Sequence, residues 1–299
     1  MSIDEPKTRS GRVALVGRPN VGKSTLLNAL LGEPIAITSP HPQTTRDVIR
    51  GVLTVAATQF VFVDTPGLHD ARTRLGHHMN AQAREQAHEA DAIVLVVEAQ
   101  LDPRDIALAA ELPKLPMVLA INKVDKVKDK QKLLPLLAAF SERGTFAAIV
   151  PICARRADGT DRLLKELGEL LPEQPFLFEA DTLSDQPTRF FVSEFVREQI
   201  LSHTRQEVPH GVAVVVERFD ESTKVPHIQI TVHVAREGHT GIVVGSGGKM
   251  LKSIGTMARA RVEKMLGRQV HLELRVRATP DWMNDPVKMR DLGYGGEKT

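Results

Sequence analysis

Eight consecutive residues near the start of the chain could bind phosphate. Gly17-Arg18-Pro19-Asn20-Val21-Gly22-Lys23-Ser24 fits the pattern G-x-x-x-x-G-K-[ST], and Thr25 follows it. Residues 12–16 read as a buried strand and residues 24–31 as a helix, which is the setting that a phosphate-binding loop requires. The glycines let main-chain N–H groups turn toward phosphate oxygens. The lysine can then reach the β- and γ-phosphates, and the serine hydroxyl can ligate Mg²⁺. We expect all nine residues to bind nucleotide.

A second block, Asp64-Thr65-Pro66-Gly67, follows the apolar residues 60–63. A carboxylate at the carboxyl end of a strand can hold Mg²⁺ directly or through water. Gly67 has no side chain, so its N–H can approach a γ-phosphate, and this contact is lost when only a diphosphate is bound. We therefore expect Asp64 to be a metal ligand and the whole block to contact nucleotide.

A third block selects the base. Asn122-Lys123-Val124-Asp125 follows the apolar residues 116–121. Guanine presents two adjacent donors, N1–H and N2–H₂, which one fixed carboxylate such as Asp125 can accept, whereas adenine offers no such pair. Asn122 can tie this loop to the phosphate loop, and the stem of Lys123 can cover the base. The block predicts GTP and GDP as ligands.

These blocks resemble the first, third and fourth motifs of the translation-factor-related GTPases. Gln43-Thr44-Thr45-Arg46 looks like the second motif, whose threonine ligates Mg²⁺ when GTP is bound. The sequence does not decide between Thr44 and Thr45, and we favour Thr45, which gives the metal ligands as Ser24, Thr45 and Asp64. The fifth motif normally reads Ser-Ala. Here it is Cys153-Ala154, so a thiol replaces the hydroxyl, while the Ala154 N–H could contact guanine O6.

Two absences shape the predicted hydrolysis. Leu68 stands where a Ras-like enzyme has the glutamine that orients the attacking water, and no arginine finger is evident. Asn20 matches a position with which similar GTPases bind K⁺, so we expect K⁺ to stimulate a slow intrinsic reaction. His69 as general base is the weaker alternative. The expected catalytic residues are Lys23, Asn20, Thr45 and Gly67.

The composition is that of an ordinary globular protein, with 299 residues, 42% of them apolar and 25% charged. Residues 1–11 are polar and lack the apolar core of a signal peptide, and no apolar run reaches the ~20 residues of a spanning helix. The single cysteine, Cys153, excludes an intramolecular disulfide. This fits a reducing compartment, and we expect a cytoplasmic protein.

The sequence predicts two domains. Over residues 11–172, strand-like apolar runs alternate with helical stretches, which indicates a three-layer α/β domain. Prolines and acidic residues indicate a linker over 173–187. Residues 188–283 then read as helix, strand, strand, helix, strand. We expect residues 1–10 to be disordered and residues 284–299 to form a C-terminal tail that is disordered from Tyr294.

The second domain has the features of an RNA-binding module. Gly245-Ser246-Gly247-Gly248 matches G-x-x-G, the loop with which KH domains clamp about four nucleotides. Residues 241–277 hold eight basic and two acidic residues, a net charge of +6 in a chain whose total is +2. Such an excess favours a polyanionic partner. The residues expected to bind RNA are Gly245, Ser246, Gly247, Gly248, Lys249, Lys252 and Arg259.

Over nearly its whole length, including Asp281-Trp282 and Leu292-Gly293-Tyr294, the chain resembles a family of bacterial ribosome-assembly GTPases. The resemblance implies a three-layer α/β P-loop GTPase domain followed by an α+β type II KH domain. It further implies binding to the 3′ end of small-subunit ribosomal RNA, a role in maturing the small ribosomal subunit together with its assembly factors, and a monomeric protein. GTP would favour RNA binding and hydrolysis would release the RNA. The resemblance also allows peripheral association with the cytoplasmic face of the inner membrane.

Two other classes of function stay open on the sequence alone. One is a constitutive RNA-binding scaffold that only senses nucleotide. Intact Lys23, Ser24 and Asp64 argue against it, and Lys23→Ala decides, because a scaffold would keep its cellular role without turnover. The other is a GTPase whose partner is a protein or an acidic lipid surface. The basic helix predicted over 249–266 lacks the apolar Trp or Phe face that membrane binding favours.

Overall fold

The computed structural model describes residues 8–39, 41, 44–142, 146–204 and 208–295, with only the backbone of residue 130. Gln43, the first residue of the second predicted motif, lies outside these residues. The chain divides into two compact units. Within the described residues, the first holds 8–36, 44–70 and 79–185, and the second holds 37–39, 41, 71–78 and the remainder from 186 onward.

The first unit contains a six-stranded sheet in the order β2-β3-β1-β4-β5-β6. β2 and β3 are antiparallel, and the other neighbouring strands are parallel. β4 and β5 are buried along nearly their whole length, as expected of strands covered on both faces. The strands are β1 (Arg9–Val16), β2 (Ile49–Val55), β3 (Thr58–Asp64), β4 (Ala92–Glu98), β5 (Met117–Asn122) and β6 (Ala148–Pro151).

Helices cover both faces of this sheet. Alternate apolar residues of β1, β4 and β5 form one core with residues of α2, α3 and α4, while α1 and α5 lie on the other face. This confirms the predicted three-layer α/β architecture. A 3₁₀ turn at Lys130–Leu133 replaces the start of the helix predicted from residue 130. The helices are α1 (Lys23–Leu31), α2 (Arg74–His88), α3 (Pro103–Glu111), α4 (Leu134–Ser141) and α5 (Thr160–Leu170).

The N-terminal prediction is wrong for two residues. β1 begins at Arg9, and Ser10 is fully buried, although disorder was expected up to residue 10. The reason is that Ser10 Oγ donates to the carbonyl of Pro175 (2.7 Å), and the guanidinium of Arg9 donates to the carbonyl of Leu171 (2.8 Å). These long-range bonds hold a segment whose own sequence is too polar to indicate a strand.

The predicted linker is bound to the first unit over much of its length. The buried side chain of Gln59 accepts hydrogen bonds from the N–H groups of Leu177 (2.8 Å) and Phe178 (2.9 Å) and donates to the carbonyl of Phe178 (2.8 Å). Farther along, the Val52 N–H donates to the carbonyl of Leu183 (2.9 Å). Residues 177–183 are therefore bound along strands β3 and β2 and do not form a free linker.

The second unit is an α+β fold with a three-stranded sheet in the order β7-β8-β9. β7 and β8 are antiparallel, and β8 and β9 are parallel. Apolar residues of α6, α7 and α8 pack against the sheet in one core. This confirms the predicted α+β class. The elements are α6 (Thr188–His203), β7 (Val212–Asp220), β8 (His227–Val234), α7 (Glu237–Val244), α8 (Lys249–Leu266), β9 (His271–Ala278) and α9 (Pro286–Asp291).

The second unit differs from the predictions in helices α7 and α9 and at Tyr294. Helix α7 was not predicted, because glycines at positions 238 and 241 and the run Ile242-Val243-Val244 lower its helix propensity. Its formation depends on packing, since Val243 is fully buried. The predicted disorder from Tyr294 is wrong for that residue, whose ring stacks on Trp282 with centroids 5.4 Å apart. Trp282 is itself fully buried and donates from Nε1 to the carbonyl of Gly211 (3.0 Å).

No helix in the described part of the chain has the length and apolarity needed to cross a bilayer.

Gln59→Leu should release the segment held by this side chain. Leucine has a similar volume but leaves the amides of Leu177 and Phe178 without their acceptor, at a cost of about 1–3 kcal/mol in the free energy of unfolding. Hydrogen exchange at these two amides should accelerate, and urea denaturation should report the lost stability. Thr54→Val is the matched control, because it removes only the bond between the side chains of residues 54 and 59. Unchanged protection of both amides would contradict the assignment.

Candidate functional sites

The phosphate loop lies where β1 ends, beside the carboxyl ends of β4 and β5. Gly22 has a positive φ of 104°, and a Cβ there would lie 2.3 Å from Nδ2 of Asn122. Only glycine permits this approach, and it lets the Asn122 amide donate to the carbonyl of Val21 (2.8 Å). The predicted tie between the base-binding loop and the phosphate loop is thus a direct hydrogen bond.

The other end of the Asn122 amide joins two more segments. Its Oδ1 accepts hydrogen bonds from the N–H groups of Lys123 (2.8 Å) and Ala154 (3.0 Å). The Ala154 N–H, expected to contact guanine O6, therefore donates to Asn122 in this structure. Because Asn122 is 3% exposed, its polar atoms need these protein partners.

Lys23 lies under the phosphate loop with its ammonium group buried. Its Nζ donates to the carbonyls of Gly17 (3.0 Å) and Arg18 (3.1 Å). Burial lowers the pKa of Lys23 to about 8, and the negative charge of Asp64 partly opposes this shift. A bound phosphate would place negative charge beside this ammonium group and favour its charged form.

Three oxygen-bearing side chains meet next to Lys23. Ser24 Oγ lies 2.8 Å from Thr45 Oγ1 and donates to Asp64 Oδ2 (2.6 Å). Thr45 Oγ1 also lies 3.3 Å from Asp64 Oδ2, a geometry that favours Thr45 over Thr44 as a metal ligand. The structure thus brings together the three predicted ligands from the phosphate loop, the second motif and the end of β3.

Mg²⁺ fits these residues. Asp64 is fully buried, and its Oδ1 has no hydrogen-bond partner among the residues that the structure describes. Burial raises the pKa of Asp64 to about 6, while Lys23 and the hydroxyls of Ser24 and Thr45 oppose the shift. A hard cation would satisfy the unpaired oxygen, and carboxylate with hydroxyl oxygens is a donor set that Mg²⁺ accepts.

Gly67 lies directly against the phosphate loop. A Cβ at this position would lie 2.6 Å from the nitrogen and 2.7 Å from the Cα of Pro19, so no other residue fits without moving the loop. On either side, Thr65 Oγ1 donates to the carbonyl of Leu15 (2.8 Å), and the Leu68 N–H donates to that of Gly17 (3.2 Å). Pro66 between them is buried. The block is held at the phosphate loop on both sides of Gly67.

His69 contacts main chain at the same loop. Its Nδ1 lies 2.9 Å from the carbonyl oxygen of Gly67, and Asn80 Nδ2 on α2 donates to the His69 carbonyl (2.7 Å). Sequence reasoning missed Asn80, because nothing in the spacing relates a residue of α2 to this loop.

The base-binding loop has two further contacts that the sequence did not indicate. Lys123 Nζ donates to the carbonyl of Asn20 (2.6 Å) and forms an ion pair with Glu98 at the end of β4. The side chain of Cys153 is the largest of the influences that lower the pKa of Asp125. This side chain therefore interacts with the carboxylate that was predicted to read guanine.

The predicted RNA-binding loop has an open main chain. Gly245, Gly247 and Gly248 all have positive φ, and Ser246 and Gly247 are exposed between α7 and α8. A Cβ at Gly247 or Gly248 would meet no atom within 4 Å, so a backbone phosphate could approach this turn. Lys249 follows as the exposed first residue of α8.

A groove of about 400 Å³ runs from this loop between α8 and β9. It brings Gly248, Lys252 and Arg259 of the predicted set together. It also adds apolar and small residues that sequence reasoning missed, because they are separated along the chain and join only when β9 lies beside α8. The added lining residues are Leu251, Gly255, Thr256, Leu272 and Leu274.

Two family models match the chain. The family described as 50S ribosome-binding GTPase matches residues 12–123, and the KH domain family matches residues 207–283. These matches cover the phosphate-binding motifs and the G-x-x-G loop respectively.

The chain is similar to curated proteins named GTPase Era over almost its entire length. It is 43% identical over 295 residues to the protein of Ruminiclostridium cellulolyticum, covering 97% of this chain and 99% of that one. It is 42% identical over 298 residues to the protein of Xanthomonas oryzae pv. oryzae, covering 98% of this chain and 100% of that one.

Two solved structures are similar over both units. A single-substitution variant of Aquifex aeolicus Era bound to GDP and AlF₄⁻ superposes with a TM-score of 0.92 at 37% identity. Era in complex with MgGDPNP and nucleotides 1506–1542 of 16S ribosomal RNA gives a TM-score of 0.93 at 37% identity. Each match covers 97% of this chain and 100% of the other.

Cys153→Ala should weaken GDP binding a few-fold, because Asp125 loses the thiol that orients it. Cys153→Ser should bind GDP at least as tightly as the unmodified protein, since a hydroxyl is a stronger donor than a thiol. Isothermal titration calorimetry with GDP in excess Mg²⁺ measures both. An alanine variant with unchanged affinity, or a serine variant as weak as the alanine variant, would contradict this role.

Proposed function

The chain belongs to the GTPase Era family, and from that premise we propose that it is a GTP-controlled RNA-binding factor for maturation of the small ribosomal subunit. It is a GTPase, and its fold combines a P-loop GTPase unit with a KH unit. The observation that carries the proposal is the occurrence, in one chain, of the cluster of Ser24, Thr45 and Asp64 and the basic groove beside the G-x-x-G loop.

In this proposal the residues of the first unit bind and hydrolyse GTP in the presence of Mg²⁺. Lys23 neutralises the β- and γ-phosphates, and Ser24, Thr45 and Asp64 hold the metal. The Gly67 N–H donates to the γ-phosphate. The Lys123 stem covers the base, and Asp125 accepts the two guanine donors.

The RNA proposed as ligand is the 3′ end of the small-subunit ribosomal RNA. A related Era protein was crystallised with nucleotides 1506–1542 of 16S ribosomal RNA. In this chain, the turn at Ser246 and Gly247 would receive the sugar-phosphate backbone, while Lys249, Lys252 and Arg259 contact phosphates. The apolar floor of the groove would take unstacked bases of a single strand.

Nucleotide would control RNA binding through the chain segments on either side of the GTP site. The second compact unit includes residues 37–39, 41 and 71–78, which adjoin the second motif and the Asp64–Gly67 block along the chain. Ordering of residues 38–70 by GTP would therefore act on segments that belong to the RNA-binding unit. GTP would favour RNA binding, and hydrolysis would release the RNA.

Fluorescence anisotropy with a short single-stranded copy of the 16S 3′ end tests this proposal. At fixed salt, we expect binding to be about 100-fold tighter with a non-hydrolysable GTP analogue than with GDP, a difference of about 2.7 kcal/mol. Ser246→Asp with Gly247→Asp should abolish binding in both states, because two carboxylates would face the RNA backbone.

Lys264→Ala is the matched control, since this exposed basic residue lies on α8 outside the groove. It should leave affinity within about twofold of the unmodified protein. Equal affinity with GDP and the analogue would show an RNA binder without nucleotide control. Absence of binding in both states would refute the RNA proposal and leave the GTPase assignment intact.

We further propose that K⁺ supplies the positive charge that an arginine finger supplies elsewhere. Asn20 supports this, because it is exposed in the phosphate loop with a left-handed backbone (φ 63°) and its carbonyl is held by Lys123 Nζ.

Hydrolysis measured in KCl should be at least tenfold faster than in NaCl at the same ionic strength. Asn20→Ala should lower the rate in KCl to the level in NaCl and leave GDP affinity nearly unchanged, because K⁺ acts on charge that develops in the transition state. Equal rates in the two salts, with no effect of the substitution, would exclude this cofactor.

The proposed partner places the protein in the cytoplasm. A monomeric state stays a prediction. Peripheral association with the inner membrane stays a prediction. The features of α8 that bear on it are its exposed lysines and the exposed side chains of Met257 and Met265.

A further inference from the structure

The side chain of Arg18 leaves the phosphate loop and is bound at the start of α3. Its Nε donates to Asp105 Oδ1 (2.6 Å), and the terminal nitrogen Nη2 donates to Asp105 Oδ2 (3.1 Å). The same terminal nitrogen lies 2.9 Å from Asp102 Oδ2. The guanidinium thus forms a bidentate ion pair with Asp105 and a single contact with Asp102.

The two carboxylates are fixed before they meet Arg18. Asp105 is fully buried in the first turn of α3, so both its oxygens depend on Arg18 for their charge partner. Asp102 is the N-cap of this helix and accepts from the Arg104 N–H (2.9 Å). The hydrogen bonds from Arg104 lower the pKa of Asp102 to about 2, which keeps it ionised. The N-terminal end of α3 also favours both negative charges.

This arrangement excludes two roles that an arginine in the phosphate loop could have. Withdrawal of Arg18 toward a nucleotide would leave the buried Asp105 carboxylate without a positive partner, which is strongly unfavourable. The side chain is therefore neither a phosphate ligand nor a mobile arginine finger. Of Arg18, only the main chain is therefore expected to contribute to nucleotide binding.

The main chain at residues 18 and 19 contacts two catalytic groups. The carbonyl of Arg18 accepts from Lys23 Nζ (3.1 Å). The next residue, Pro19, is the surface against which Gly67 lies, since a Cβ on Gly67 would lie 2.6 Å from the Pro19 nitrogen. A shift of Arg18 by a few tenths of an ångström would move both the lysine and the surface that positions the Gly67 N–H.

We propose that Arg18, Asp105 and Asp102 form a brace that positions the phosphate loop for hydrolysis. The brace ties the second residue of the loop to the first turn of α3, and so sets the distance between Lys23 and Gly67. Arg18 and Asp105 are positioning residues in this assignment, because they act through the main chain of the loop and touch no substrate atom.

Steady-state GTP hydrolysis and GDP binding by the full-length protein test the brace. Asp105→Asn should lower kcat at least tenfold but weaken GDP binding only about threefold, because GDP does not use the Gly67 contact. Asp102→Asn keeps an N-cap oxygen and removes one charge, so its kcat should fall about threefold with a thermal midpoint near that of the unmodified protein. Glu111→Gln is the matched control, since it neutralises a carboxylate at the far end of α3 whose side chain is 54% exposed, and kcat should stay within twofold.

A purely structural role predicts a different result. Asp105→Asn would then lower the thermal midpoint while kcat per folded molecule stays unchanged, and this outcome would overturn the brace. Equal losses in kcat and GDP affinity would also overturn it, because they would assign Arg18 to uniform nucleotide binding. If Asp105→Asn does not fold, Asp102→Asn decides: a kcat equal to that of Glu111→Gln refutes the proposal.

Discussion

The nucleotide site depends on the buried amide of Asn122, which satisfies main-chain groups from three loops at once. It donates to Val21 in the phosphate loop and accepts from Lys123 and Ala154 in the two loops that surround the base. Each of these groups would carry an unmet hydrogen bond in a site closed to water. The close approach of Gly22 to this amide leaves no room for a side chain. The loops predicted to bind phosphate and base are therefore held in one geometry by one residue.

Two buried carboxylates of this site differ in how their negative charge is compensated. Asp105 is matched by Arg18 inside the protein, whereas the buried Asp64 keeps one carboxylate oxygen unpaired among the described residues. We propose that the first pair sets the position of the loop and that the second carboxylate could bind a cation. Both carboxylates are buried, and we propose that full pairing with an arginine makes Asp105 structural, whereas the unpaired oxygen of Asp64 suits it to a metal.

The RNA-binding unit uses a different principle. Its G-x-x-G turn presents main chain with open space around Gly247 and Gly248, and the adjoining groove places basic side chains at the edge of an apolar floor. Affinity for a polyanion would come from the charges, and the fit of unstacked bases from Gly255 and the leucines of β9. The aromatic contact between Trp282 and Tyr294 then completes this unit beyond its last strand.

The chemistry and most of the order of the elements could be predicted from the sequence, with helices α7 and α9 as the exceptions. The phosphate loop, the N-K-x-D block and the G-x-x-G loop each bring their residues together over a few positions, so their local geometry follows from composition and spacing. The distant groups that complete these motifs follow from the packing of the folded chain. These contacts join parts of the chain that are far apart in the sequence. They are Arg18 with Asp105, His69 with Asn80, Gln59 with the predicted linker, and α8 with β9. Such contacts form because a buried polar group needs a hydrogen-bond partner, which can come from any part of the chain that packs beside it. The periodicity of the sequence does not indicate which part that is.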